Sequence, residues 1–199
     1  FFTVQEAVNA APDYCKLDET TIYIKDGVYK EKVTIPVNKQ KLHLIGQSAE
    51  NTVITWDDYA KKIGPTGYEM GTSATSTVFL YASDFLAENL TIENSSGEGR
   101  EIGQACAITV DGDRVPFINC RFVANQDTIY TYGKGQRQYF RNCWIEGTTD
   151  FIFGASTCWF EDCTILSKKN SYVTAASTPQ DEEFGYVFNG CRFIHDGNA

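Results

Sequence analysis

One short pattern, repeated four times in the second half of the chain, limits its possible folds more than any other feature. Each copy reads Phe, two residues, Cys, one residue and a large apolar side chain: "FINCRF", "FRNCWI", "FEDCTI" and "FNGCRF". The four cysteines are 23, 20 and 28 residues apart, and "FLAENLTI" at 85–92 fits the same frame with leucine in place of cysteine. A repeat of about 20–30 residues made of short β-patterned segments is typical of a solenoid.

The rest of the chain has the same texture and almost no helical periodicity. Stretches such as "TIYI", "LHLI" and "STVFL" are rich in β-branched and aromatic residues, and Gly, Asn and Asp separate them. No Pro/Ser-rich linker interrupts the sequence. We therefore predict a single all-β domain over residues 1–199, a parallel β-helix with phenylalanine and cysteine side chains in stacked internal columns.

The cysteines are more informative through their spacing than through their number. Seven is an odd count, so they cannot all pair within the chain. Because free cysteine behaves as a small buried hydrophobe, the repeat predicts Cys120, Cys143 and Cys163 as stacked interior thiols. The alternatives, disulfides or metal ligation, stay open for Cys15 and for Cys106 or Cys158.

A short helix is predicted near the start, in "TVQEAVNAA". Thr3 as N-cap with Glu6 three residues later forms a capping-box pattern, and Pro12 ends the helix. We expect this helix to cover the open end of the first coil, where strand edges would otherwise be unpaired. Four small or apolar residues share its inner face: Val4, Ala7, Val8 and Ala11.

Composition excludes several classes of function. The net charge of −9 argues against a nucleic-acid partner, because phosphate binding needs clustered Lys and Arg. No apolar run reaches the roughly 18 residues needed to span a bilayer. With two histidines and no CxxC pair, we expect no metal and no cofactor.

Asp150, in "GTTDFIFGAS", is the first candidate functional residue, because three large apolar residues follow it. Burying a lone carboxylate there is costly unless it takes up a proton. Asp150 lies seven residues after Cys143, and Asp127 lies seven residues after Cys120. If the two units are successive coils, the carboxyl groups face each other about 4.7–4.9 Å apart on adjacent strands.

Two carboxyl groups so close cannot both ionise easily, so one is expected to hold a proton while the other is an anion. Gln126 adjoins Asp127, and Gln104 precedes Gln126 by 22 residues, about one coil. The two amides can therefore face a developing oxyanion beside an acid and a base or nucleophile. The structural alternative is an aspartate ladder that only hydrogen-bonds turn backbone; the two glutamines and aromatic neighbours argue against it.

These residues occur in motifs that resemble those of the pectin methylesterases. The resemblance implies a right-handed parallel β-helix that hydrolyses methyl esters of galacturonate in pectin and releases methanol. The matching stretches follow the family's order and span most of the chain: "GVYKE" at 27–31, "GTSATSTV" at 71–78, "GQACAITVDGDR" at 103–114, "NQDTIYT" at 125–131 and "GTTDFIFG" at 147–154.

The resemblance also implies a role for each residue. Asp150 matches the nucleophile, and Asp127 matches the acid that protonates departing methanol and then activates water as a base. Gln126 and Gln104 match amides that stabilise the tetrahedral intermediate. Four residues match or border the sugar groove, with a core position as the alternative for the two aromatic ones: Tyr130, Phe153, Thr72 and Thr77.

In one respect the sequence departs from the family pattern. The family has an arginine–tryptophan motif shortly after the segment that resembles "FGYVFNGCRFIHDGNA", and its arginine hydrogen-bonds the nucleophile. Ala199 comes before any such motif, and Arg114, Arg137 and Arg141 do not match it. We therefore expect a chain that is truncated at its C-terminus and can be inactive in isolation.

Other functions remain as alternatives. Polygalacturonases also use paired aspartates but have different motifs, and pectate lyases need an acidic calcium site that this sequence does not assemble. A catalytically inactive β-helix that binds carbohydrate or serves as a cell-surface module is the alternative outside the enzymes. We expect a monomer that is secreted, extracellular or periplasmic, with a signal peptide that is not in this sequence.

Overall fold

The β-patterned segments form short strands, as the sequence predicts. A computed structural model describes residues 1–15 and 17–197. The expected truncation before the family's arginine–tryptophan motif falls at Ala199, which lies outside the described residues. Within the described residues, helix α1 (Val4–Ala10) and helix α2 (Gly99–Ile102) accompany the following strands: β1 (Thr20–Ile24), β2 (Gly27–Lys30), β3 (Val33–Ile35), β4 (Leu42–Gly46), β5 (Thr52–Trp56), β6 (Val78–Leu80), β7 (Leu86–Glu88), β8 (Thr91–Asn94), β9 (Ile108–Val110), β10 (Val115–Ile118), β11 (Arg121–Val123), β12 (Ile129–Thr131), β13 (Arg137–Arg141), β14 (Trp144–Gly147), β15 (Ile152–Gly154), β16 (Thr157–Glu161), β17 (Thr164–Ser167), β18 (Thr174–Ala176), β19 (Tyr186–Asn189) and β20 (Arg192–His195).

The strands form three sheets in which each strand pairs in parallel with the strand three places later. The first sheet runs β1-β4-β7-β10-β13-β16-β19, the second β2-β5-β8-β11-β14-β17-β20, and the third β3-β6-β9-β12-β15-β18. Each coil therefore contributes one strand to each sheet, except that the last described coil contributes none to the third, and about seven coils stack along the axis. The predicted parallel β-helix is confirmed.

The Phe-x-x-Cys repeat builds two parallel columns in the core. The rings of Phe117, Phe140, Phe160 and Phe188 stack in succession with centroids 4.7–5.0 Å apart. The sulfurs of Cys143, Cys163 and Cys191 each approach the carbonyl of a phenylalanine one coil earlier, as Cys143 Sγ does that of Phe117 at 3.4 Å. Cys120 Sγ approaches the carbonyl of Ala87 in the same way at 3.5 Å. All seven cysteines are free thiols, and five are buried, so the prediction of interior thiols is confirmed for Cys120, Cys143 and Cys163 and holds also for Cys106 and Cys158.

The corner between the first and second sheets is here called the first corner. Its turn has the same shape in successive coils because a column of hydrogen-bonded asparagine side chains stabilises it. Asn89, Asn119 and Asn142 adopt left-handed backbone conformations, with φ of 55°, 52° and 53°. Asparagine tolerates this region better than most residues. The side-chain amide of Asn119 donates to Asn89 Oδ1 at 2.7 Å, and that of Asn142 donates to Asn119 Oδ1 at 3.2 Å. The same tight turn can thus recur from coil to coil.

Helix α1 covers the first coil, as predicted. Thr3 accepts a hydrogen bond from the Glu6 backbone, and the Glu6 carboxylate accepts one from the Thr3 backbone, which completes the capping box. The inner face of the helix is buried against the strands, with Val8 fully enclosed. Apolar residues of the first coil are thereby shielded from water.

The corner between the second and third sheets, the second corner, is where the coils differ most. Residues 57–77 and 95–107 form long loops there, and they contain α2 and a 3-10 turn at Thr72–Ala74. The next two coils turn the same corner in a few residues, at 124–128 and 148–151. The candidate site lies at this corner.

Candidate active site

The register of the third sheet places Asp127 and Asp150 side by side. Strand β12 pairs with β15 so that Ile129 faces Ile152, and the ladder continues into the corner, where Asp127 N donates to Thr149 O at 3.1 Å. The two aspartates therefore occupy equivalent positions on adjacent coils, two residues before β12 and β15, and parallel pairing separates such coils by about 4.8 Å. The predicted juxtaposition is confirmed.

Both aspartates hold left-handed backbone conformations, with φ of 67° at Asp127 and 49° at Asp150. Such conformations cost non-glycine residues about 1–2 kcal/mol, and aspartate is among the few that adopt them routinely. At the first corner the same conformation belongs to asparagines that bind one another. At the second corner it belongs to a pair of carboxyl groups that would repel each other as anions, so hydrogen bonding within the column does not explain the choice of residue.

The two carboxyl groups differ in their exposure to solvent. Asp127 is 8% exposed, whereas Asp150 is only half-buried. Burial, and secondly the charge of Asp150, raise the pKa of Asp127 to about 7, although a hydrogen bond from the Gln126 side chain opposes the rise. A carboxyl group with this pKa can hold a proton and release it near neutral pH, which is what a general acid–base group requires.

The two glutamines adjoin this pair from the neighbouring rung. Ala105 N donates to Gln126 O at 3.1 Å, so Gln104 lies one coil before Gln126, as its spacing predicted. Ala60 N donates to Gln104 O at 2.8 Å, which ties this coil to the long loop 57–77. Both side chains are partly exposed. The structure therefore brings two amides to the same corner as the carboxyl pair.

Helix α2 packs directly on the Gln126 side chain, and glycine permits the contact. A Cβ built on Gly99 would lie 2.5 Å from Gln126 Oε1 and 2.7 Å from Gln126 Cβ. No other residue type fits there without moving the amide. Gly99 was not found by sequence reasoning, since only the packing of the loop 95–107 brings it to this position.

Asn94 is a second residue that sequence reasoning missed. Its buried amide donates to three backbone carbonyls in different segments, those of Asp58 at 2.9 Å, Thr75 at 3.2 Å and Cys106 at 3.0 Å. Asn94 thus joins both long loops to the end of β8. Its role is to hold these segments in place rather than to contact a ligand.

Tyr130 and Phe153 lie on the outer face of the third sheet, not in the core. Their rings stack with centroids 4.3 Å apart and planes 12° apart, and both are half-buried. Tyr132 meets Tyr130 edge-on at 5.2 Å. Stacked rings beside the aspartates form an apolar floor suited to the faces of sugar rings.

Thr72 and Thr77, the two threonines predicted to contact the substrate, differ in their exposure to solvent. Thr72 lies half-buried in the 3-10 turn of the loop 57–77, and its carbonyl faces Cys106 Sγ at 3.9 Å, so it borders the same corner. Thr77 has no exposed surface, and its hydroxyl donates to Glu93 O at 2.6 Å. A side chain without accessible surface cannot contact a polysaccharide, so the prediction that Thr77 binds substrate is wrong.

Arg114, Arg137 and Arg141 make no hydrogen bond or ion pair with the aspartate pair among the described residues. Arg114 and Arg137 bind the carboxylate of Asp113 at 2.5 and 2.7 Å, near the corner between the third and first sheets. Arg141 is exposed at the end of β13. Within the described residues, no group of three or more potential metal ligands is assembled, and no helix is both long and apolar enough to cross a membrane.

Fold and site together define a parallel β-helix protein with a paired-carboxylate site flanked by amides and aromatic rings. A family model described as Pectinesterase matches residues 1–199. The chain belongs to the pectinesterase family.

Relatives agree with this assignment over the whole chain. Pectinesterase 31 of Arabidopsis thaliana is 40% identical over 207 residues, covering 100% of this chain and 63% of that protein. Putative pectinesterase 11 of the same plant is 36% identical over 205 residues, covering 100% of this chain and 53% of that protein. The chain therefore spans little more than half the length of these relatives.

Solved structures give the same result. Pectin methylesterase PemA from Erwinia chrysanthemi superposes with a TM-score of 0.89 at 33% identity, over 98% of this chain and 62% of that one. Pectin methylesterase from carrot gives a TM-score of 0.88 at 32% identity, over 98% and 60%. A pectin methylesterase in complex with a hexasaccharide gives a TM-score of 0.88 at 35% identity, over 98% and 62%.

Proposed function

We propose that the protein hydrolyses methyl esters of galacturonate units in pectin and releases methanol, without cleaving the polymer. The observation that carries the proposal is the pairing of a buried Asp127, with its raised pKa, against the more exposed Asp150 one rung away. Family membership supports the choice of substrate, because the relatives are named as pectinesterases.

In the proposed mechanism the Asp150 carboxylate attacks the ester carbonyl and forms a tetrahedral intermediate. The side-chain amides of Gln126 and Gln104 donate to its oxyanion, an interaction worth roughly 10²–10³ in rate for each donor. Asp127 then gives its proton to the departing methoxy oxygen, and methanol leaves an acyl-enzyme anhydride on Asp150. As an anion, Asp127 next takes a proton from water, which hydrolyses the anhydride and restores both groups.

Tyr130 and Phe153 would carry the sugar ring next to the reacting ester, with Thr72 at the edge of the groove. Methylated pectin is largely uncharged, so the net charge of −9 does not oppose its binding. The same negative charge disfavours binding of the de-esterified product, which is a polyanion. We further propose that the protein acts outside the cell and as a monomer, to be checked by fractionation of the source and by sedimentation.

The test measures three products from highly methylated pectin. The proposal expects methanol, no new reducing ends and no unsaturated products that absorb in the ultraviolet, with no effect of a calcium chelator. New reducing ends would indicate a glycosidase, and unsaturated products a lyase. Retention of pectin without release of methanol would favour the alternative of a binding module.

A further inference from the structure

Asp111 is a carboxyl group that the proposed mechanism does not use. It directly follows strand β9 at the outer edge of the third sheet. Asp111 N donates to Leu80 O at 2.8 Å, and Tyr132 N donates to Val110 O at 2.9 Å. The backbone ladder therefore places Tyr81, Asp111 and Tyr132 on three consecutive rungs, about 4.8 Å apart.

The carboxylate of Asp111 has no compensating partner among the described residues. No hydrogen bond or ion pair reaches it, whereas nearby Asp84 and Asp113 both pair with Arg114. Its Oδ1 lies against Gly133, where an added Cβ would come within 2.8 Å, so the side chain has a defined position. Partial burial raises the pKa of Asp111. A carboxyl group kept beside aromatic rings without a cation contributes nothing evident to the fold.

Asp111 is connected to the proposed active site by a continuous aromatic surface. Tyr132, which is 53% exposed, contacts Tyr130 edge-on, and Tyr130 stacks on Phe153. Burial raises the pKa of the Tyr130 hydroxyl, with a smaller contribution from the charge of Asp127, and burial followed by the charge of Asp111 raises the pKa of Tyr81. The rings thus extend from the aspartate pair to Asp111, and a sugar chain lying on them would pass this carboxylate.

We propose that Asp111, between Tyr81 and Tyr132, is a specificity determinant that excludes ionised galacturonate from the sugar position it faces and favours a methyl-esterified unit there. The proposal rests on the proposed function and adds a preference for the methylation pattern around the reacting ester. A free galacturonate carboxylate would meet an uncompensated negative charge, while a methyl ester would meet none and could pack on the tyrosine rings. The protein would therefore act best inside methylated stretches and leave de-esterified ones.

The experiment compares the dissociation constants of a de-esterified and a fully methylated galacturonate hexamer at pH 8 by calorimetry, with every protein carrying Asp150→Ala so that the ester is not hydrolysed during the measurement. We expect Asp111→Asn to lower the ratio of the two constants roughly 3–10-fold, in line with one screened charge–charge interaction. The difference in this ratio between the wild type and Asp111→Asn should shrink as the salt concentration is raised from about 20 mM to about 500 mM. Glu50→Gln is the matched control, because it removes one exposed charge near the first corner, and it should leave the ratio unchanged.

Asp111→Ser serves as a second variant that also removes the charge, in case the amide makes new hydrogen bonds. An unchanged ratio in both variants, or a change that salt does not alter, would overturn the proposal. Methanol release by the wild type with an unchanged ratio in the variants would reject this inference alone. If neither hexamer binds the wild type and no methanol is released, the proposed function itself fails.

Discussion

Asp127 and Asp150 occupy equivalent corner positions on adjacent coils, yet one carboxyl group is nearly enclosed and the other is partly open to solvent. The difference arises at the corner, where Asp127 lies between the fully buried Thr128 and Gln126, on whose side chain the loop 95–107 packs. Burial at this corner, together with the charge of Asp150, raises the pKa of Asp127.

We expect the two aspartates to respond differently to substitution. Asp150→Ala should abolish methanol release, because no nucleophile remains. Asp127→Asn keeps the shape and hydrogen bonding of the side chain but cannot transfer a proton, so the rate should fall roughly 10²–10⁴-fold. The measurement is the initial rate of methanol release, with circular dichroism as a check that both variants are folded. If both kept more than about a tenth of the wild-type rate, the carboxyl pair would be structural.

The stability of the protein should depend on pH through Asp127. Its pKa is about 7 in the folded state and near 3.8 in an unfolded chain, so between these values the folded state holds a proton that the unfolded state releases. The stabilisation is complete below about pH 4 and is lost as pH rises through 7. Since one pKa unit corresponds to about 1.4 kcal/mol, the loss is at most about 4 kcal/mol.

Urea unfolding at pH 5 and pH 8 measures this effect when the wild type is compared with Asp127→Asn. The asparagine variant lacks the titrating group, so its free energy of unfolding should fall less between the two pH values. Other titrating groups contribute equally to both proteins and cancel in the comparison. An identical pH dependence in the two proteins would contradict the raised pKa.

Gly99→Ala should impair catalysis without contact to the substrate. The added methyl group would displace the Gln126 side chain, and the loss of one oxyanion donor costs up to roughly 10²–10³ in rate. We expect kcat to fall at least about tenfold with a much smaller change in KM. Gly27→Ala is the control, because the nearest atom to its Cβ would be 3.7 Å away. In a Gln126→Ala background the effect of Gly99→Ala should largely disappear; persistence of the full effect would argue for a different cause.

Thiol reactivity should separate the cysteines by burial. In denaturant without reductant, most of the seven should react, since all are free. In the folded protein only Cys15 and Cys191 have exposed surface, so they should react first. Burial raises the pKa of both Cys106 and Cys120 to about 12, which keeps them as unreactive thiols. Fewer than three reactive thiols in denaturant would reject the column of free cysteines.

The fold and the aspartate pair were predictable from the sequence because both follow from spacing. The distance from Cys120 to Cys143 equals that from Asp127 to Asp150, so a repeat that aligns one pair also aligns the other. Parallel pairing then sets their separation without further information. The inward position of Phe140 followed in the same way from the repeat.

The features that sequence reasoning missed depend on loops, where the sequence has no repeat. Gly99 acquires its role only because the loop 95–107 folds over Gln126. Thr77 sits in a motif that borders the groove, but it lies in the corner before β6, where residues 75–78 are all buried, and its hydroxyl donates to Glu93 O. Asn94 offered one signal, since it is a polar residue in a register column that continues with Ala124 and Gly147.

The asparagine column at the first corner has a consequence for how such proteins can diversify. The strands on either side of it are joined by two residues in almost every coil, whereas the second corner absorbs segments as long as residues 57–77. The longest insertions are thus at the edge that carries the carboxyl pair, whereas the first corner varies least in length. Substrate preference can therefore be rewritten by exchanging loops between homologues, because such exchanges leave the spacing of the rungs, and with it the distance between the two aspartates, unaltered.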